Sequence, residues 1–78
     1  MNKRYYENEF NRICDRYCFN LRLFGSDKKL RESCYREALN AIEKVKAKAI
    51  VNQDIDTIIA RMALNTIRVV EDLYGVVG

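Results

Sequence analysis

Seventy-eight residues, 49% apolar and 32% charged with a net charge of +3, suit one small folded domain spanning residues 1–78 and exclude a disordered tail. No apolar run approaches the roughly 20 residues that a membrane-spanning helix needs, and Glu7, Asn8 and Glu9 stand where a signal peptide would carry its apolar centre. A cytoplasmic protein with no membrane partner is therefore expected. The charge is unevenly spread: Met1–Ile50 holds 12 basic and 7 acidic residues, Val51–Gly78 holds 2 and 4. That asymmetry admits an acidic partner, but it falls short of the dense one-sided patch of a dedicated nucleic-acid binder.

In chain order, a first helix is predicted over about 3–24, with Tyr6, Phe10, Ile13, Cys14, Tyr17, Leu21 and Phe24 on one face. Gly25 is expected to end it in the left-handed conformation, and Ser26 or Asp27 to cap the next helix. A connection so short makes the two helices antiparallel neighbours. The second helix, over about 28–50, carries the stripe Leu30, Cys34, Ala38, Ala41, Ile42, Val45 and Ala49, whose alanines allow a neighbour to approach closely. The stripe ends at Val51-Asn52-Gln53-Asp54, which has no Gly or Pro, and resumes on a rotated phase. Asp54 is a suitable N-cap for a third helix over about 55–74, and Asp56 suits its first turn. The alternative is one continuous helix from about Asp27 to Tyr74, about 70 Å long, that buries its stripe only by dimerising.

The third helix places Ile55, Ile58, Ile59, Met62, Thr66, Val69, Val70 and Leu73 at steps of three and four, with Gly75 expected just past its end. Its regularity marks it as the pillar of a core. Leu64 alone among its large apolar residues falls near the middle of the polar side. The expected fold is thus an all-α, three-helix antiparallel bundle.

Chemistry has little to work with. Three cysteines are present, Cys14 and Cys18 one turn apart and Cys34 on the next helix, but the C-x2-C spacing of a zinc knuckle is absent and no histidine supplies a fourth ligand. They read as core residues. Ser26 and Ser33 have no base beside them, the acid pairs Glu7/Glu9 and Asp54/Asp56 do not share a helix face, and three glycines make no phosphate loop. No enzymatic activity, cofactor or metal is expected. The run Ile59–Arg68 echoes a helix-turn-helix, but it has no break for the turn.

The strongest functional signal lies on the outer face of the first helix. At 100° per residue, Tyr5, Arg12, Arg16, Phe19 and Leu23 form a second stripe away from the core stripe. Aromatic and arginine side chains interleaved in this way are the usual anchors of protein interfaces. The expected function is a non-enzymatic protein-binding module, an adaptor or inhibitor of the size of bacterial and phage accessory proteins. Its partner would be a protein with an acidic or grooved surface, and Leu64 a possible second contact. There are two alternatives: a homodimer seam on the same face, or nucleic-acid binding through basic residues of the first two helices, Lys3, Arg4, Arg12, Arg16, Lys28 and Lys29.

Overall fold

The computed structural model describes residues 3–54 and 57–77, which form three helices: α1 Lys3–Phe24, α2 Lys28–Val51 and α3 Thr57–Val77. Each helix packs against both of the others, and the molecule measures 40 × 17 × 14 Å, so its long axis is that of the helices. The expected all-α three-helix bundle is therefore formed, and the continuous α2–α3 rod is not. Ile55 and Asp56, read as the first turn of α3, lie outside the described residues. At the other end α3 does not stop at Tyr74 but runs through Gly75 to Val77. Gly75 is exposed, and a Cβ there would meet nothing within 4 Å, so neither a turn nor close packing requires a glycine at this position.

The two connections are built differently from each other and from expectation. No glycine among the described residues has a positive φ, so Gly25 does not end α1 in the left-handed region. Its N–H still donates to the Leu21 carbonyl at 2.8 Å, and the Asp27 N–H donates to Phe24 at 3.1 Å. The Gly25 carbonyl accepts from Arg31 Nη1 at 2.9 Å, so a side chain from the first turn of α2 satisfies the end of α1. Asp27 caps α2, its carboxylate accepting from the Leu30 N–H at 3.1 Å.

The left-handed residue is instead Gln53, with φ 58°. Its N–H donates to the Ile50 carbonyl at 3.0 Å and the Asp54 N–H to the Ala49 carbonyl at 2.8 Å. These two bonds are the Schellman pattern, in which the chain reverses on one left-handed residue after a helix. The break, which has neither Gly nor Pro, is thus a regular C-terminal stop with a glutamine in the left-handed position. Asp54, expected to cap α3, accepts a hydrogen bond from the Tyr6 hydroxyl at 2.7 Å. This ties the α2–α3 turn to the start of α1.

The core holds Tyr6, Phe10, Tyr17 and Leu21 from α1, Cys34, Ala38, Ile42 and Ala49 from α2, and Ile59, Ala63 and Val70 from α3. Full burial of side chains of the size of Ile42, Ile59 and Val70 stabilises by about 1.5–3 kcal/mol each. Thr66 is buried in the α3 stripe because its hydroxyl donates to the Met62 carbonyl at 2.8 Å, which satisfies it within its own helix. Tyr35 and Tyr74 stack at 4.4 Å between ring centroids and join α2 to α3.

Four residues expected in the core are instead exposed: Phe24, Leu30, Ile58 and Val69. Phe24 and Leu30 sit in the last and first turns that flank the α1–α2 connection, where a helix has a neighbour over part of its circumference only. Ile58 and Val69 occupy one shoulder of the α3 stripe, whose centre is the column Ile59, Ala63, Thr66 and Val70. Among the described residues no helix is long and apolar enough to cross a membrane.

Candidate functional site

The five residues of the outer α1 stripe keep their common face, but the structure gives them different surroundings. Phe19 and Leu23, one turn apart, are 60% and 58% exposed. Arg12 and Arg16 flank them, both extended into solvent, Arg12 within 3.8 Å of Glu9 on its own helix and Arg16 within 3.1 Å of Glu37 on α2. Surface pairs of this kind contribute at most about 1 kcal/mol and leave most guanidinium donors open.

Tyr5 is drawn inward by contrast. Its ring stacks on Tyr6 at 5.1 Å, its hydroxyl accepts from Lys48 of α2, and the Lys48 ammonium lies 4.7 Å from the ring centroid. The hydrogen bond to Tyr5 pushes the Lys48 pKa above its ordinary value. The neighbouring Tyr6 phenol is pushed up too, first by its bond to the Asp54 carboxylate and then by burial. Tyr5 therefore anchors the far end of α2 to α1, and the freely presented part of the stripe is Arg12, Arg16, Phe19 and Leu23.

This face continues into a groove between α1 and α2. About 200 Å³ in volume, it has Ile13, Ala41 and Val45 along it and Arg12, Arg16 and Lys44 at its edges. Arg16 and Glu37 also line a second hollow of about 230 Å³ toward the α1–α2 turn, together with Phe24 and Leu30. Sequence reasoning took Ala41 as a contact for a close neighbour. The structure leaves it half-buried on the lining of the groove, beside open space. Pattern alone could have raised this, since alanine on the shoulder of a stripe leaves room wherever the facing residue is not large.

Leu64, the suggested second contact, is 56% exposed on α3, on the side of that helix turned away from its buried column. The six basic residues of the nucleic-acid alternative do not gather. Lys3 and Arg4 open α1, whereas Lys28 and Lys29 open α2, about 30 Å away along an antiparallel neighbour. Arg12 and Arg16, between them, face carboxylates.

The cysteines are free, Cys34 buried and Cys14 and Cys18 half-buried. Among the described residues no three Cys, Asp or Glu side chains come together as a metal site. Burial pushes the Cys14 and Cys34 thiols up, which keeps them protonated and dulls their nucleophilicity. The Tyr17 hydroxyl is buried with no hydrogen-bond partner, and burial is the main cause that pushes its pKa up to about 12.

No protein-family model matches the chain, and neither a curated protein nor a solved structure is significantly similar to it.

Proposed function

We propose that the protein is a non-enzymatic protein-binding module that presents the outer face of α1 to a larger partner. One observation carries the reading: Phe19 and Leu23 stand exposed in adjacent turns of a rigid helix, with the extended guanidiniums of Arg12 and Arg16 beside them. Large apolar groups supply the area that association needs, and arginines supply hydrogen bonds and charge toward carboxylates. Burying two side chains of this size stabilises a complex by about 3–6 kcal/mol before the entropic cost of association is met, so further contacts are required. The face is borne on a helix held at both ends, by the Arg31–Gly25 contact and by the Lys48–Tyr5 and Tyr6–Asp54 pairs, and loses little freedom on binding.

The separation of the basic residues between the two ends of the bundle weighs against the nucleic-acid alternative, and a titration with duplex DNA or RNA at low salt tests it. The test of the main reading is affinity capture from the source cells with wild-type protein and with Phe19→Asp. The partner recovered with wild type is expected to be lost with the variant. Unchanged recovery by a variant with a wild-type circular dichroism spectrum sinks the reading, and a dimeric mass in light scattering that Phe19→Asp reduces to a monomer converts it to the homodimer seam.

A further inference from the structure

We infer that the groove between α1 and α2 receives an acidic amphipathic helix of about three turns from the partner protein. The inference rests on the protein-binding reading and names the part of the partner that is recognised. The groove's length is set by α2, along which its lining runs from Cys34 to Val45, eleven residue steps or about 16 Å. Its volume, about 200 Å³, lies below the roughly 300–1,000 Å³ of pockets that enclose small ligands. A groove of that length and volume takes a row of side chains set at i, i+4 and i+7 rather than a compact molecule.

Chemistry selects the sign. Ile13, Ala41 and Val45 offer the furrow apolar surface that a phosphate backbone has no use for, and this favours a protein helix. At its edges Arg12, Arg16 and Lys44 outnumber Glu9 and Glu37. The two glutamates pair with the two arginines at 3.8 and 3.1 Å, and Lys44 leaves the edge that an incoming helix meets net positive by one charge. A helix with apolar residues in the furrow and Asp or Glu on its flanks satisfies both features, whereas a basic helix meets an edge whose three cations exceed its two carboxylates by one. α3 packs on the α1–α2 pair elsewhere, so the added helix completes a four-helix arrangement with the same packing rules.

The experiment is a selection of helix-stabilised peptides of about 15 residues, long enough to cross the furrow, displayed as a randomised library against the full chain. Enriched peptides are expected to carry apolar residues at helical spacing flanked by an excess of Asp and Glu. Their affinity should fall about tenfold or more in Ala41→Arg, which fills the furrow, and severalfold in Lys44→Glu, which reverses one edge. Lys44 is exposed, so if Ala41→Arg loses its helical spectrum, Lys44→Glu decides alone. Enrichment of basic peptides, no enrichment, or affinity indifferent to the folded variants overturns the inference. Binding that survives both but is lost in Phe19→Asp overturns the groove while leaving the outer α1 face as the binding surface. A dimer in sedimentation that Ala41→Arg dissociates overturns it in favour of a second copy of this chain.

Discussion

Removing one oxygen should stabilise this protein. The Tyr17 hydroxyl is buried without a hydrogen-bond partner in a side chain only 1% exposed. In water that group would be fully hydrogen-bonded, and burying it unpaired costs about 1–3 kcal/mol by the measure of protein mutants. Tyr17→Phe removes the cost and leaves a void of about 15 Å³, worth about 0.4 kcal/mol at 24 cal/mol per Å³. The net gain is about 0.6–2.6 kcal/mol, and in a domain of this size each kcal/mol raises Tm by about 4–8 °C. Thermal and urea unfolding followed by far-UV circular dichroism measure it.

Alkaline pH supplies a second readout. The unfolded phenol ionises near 10, but in the folded protein Tyr17 keeps its proton up to about 12. Above pH 10 the unfolded chain has released a proton that the folded chain retains, so stability falls as pH rises through that window. Tyr6, whose pKa is also raised, adds to the same slope. Tyr17→Phe should be the less pH-sensitive protein between 10 and 12. A variant destabilised by more than about 1 kcal/mol would refute the reasoning by showing that the hydroxyl finds a partner, and an unchanged alkaline slope would refute it by showing that the phenol ionises alike in the folded and unfolded chain.

Three further substitutions probe the elements that set the fold. Gln53→Gly relieves a left-handed φ that costs a non-glycine residue about 1–2 kcal/mol, against about 0.5–1 kcal/mol of added unfolded-state entropy, so a gain of up to about 1 kcal/mol in urea unfolding is expected. Gly75→Ala, at an exposed helical site where the new Cβ meets nothing within 4 Å, should raise Tm by an amount equivalent to about 0.5–1 kcal/mol, and a loss would show that α3 does not continue past Tyr74. Ile59→Ala empties a fully buried position and should cost about 2–5 kcal/mol in denaturant unfolding, so a variant as stable as wild type would remove Ile59 from the core.

Apolar spacing was sufficient to read the helices and most of their buried columns, because Tyr6, Phe10, Tyr17 and Leu21, or Ile59, Thr66 and Val70, recur at the step that one helix face imposes. It was insufficient at the ends. Periodicity says nothing of how far a neighbouring helix extends or how wide an arc it covers, and this left Phe24 and Leu30 beside a connection, and Ile58 and Val69 on a shoulder, assigned to a core that does not cover them. Turn chemistry was read by residue type, which favoured a left-handed Gly25, whereas the Arg31 side chain supplies the partner at that end and Gln53 takes the left-handed position at the other. The outer stripe was readable as a row on a helical wheel. That Tyr5 belongs to an α1–α2 clamp with Lys48, 43 positions away, was not, since no local pattern encodes a contact so distant in the chain.

The placement of the exposed apolar groups argues for the α1 surface over the other candidates. Phe19, Leu23 and Phe24 on α1 and Leu30 on α2 are brought to one end of the bundle by the antiparallel connection between the helices, and Arg16 lines the hollow that Phe24 and Leu30 share. Ile50, Val51 and Ile58 lie around the opposite turn, and Leu64 is separated from Val69 by more than one helical turn. Association is driven by apolar area rather than by single exposed residues, so Phe19 and Leu23 one turn apart on α1, with Phe24 and Leu30 at the same end of the bundle, make a stronger anchor than a lone leucine. If that is the basis of recognition, Phe19→Asp and Leu30→Asp should each weaken partner capture while Leu64→Asp leaves it within about twofold, the scale of a peripheral substitution. Equal losses at Leu64 and Phe19 would extend the interface to α3, and a loss at Leu64 alone would move it there.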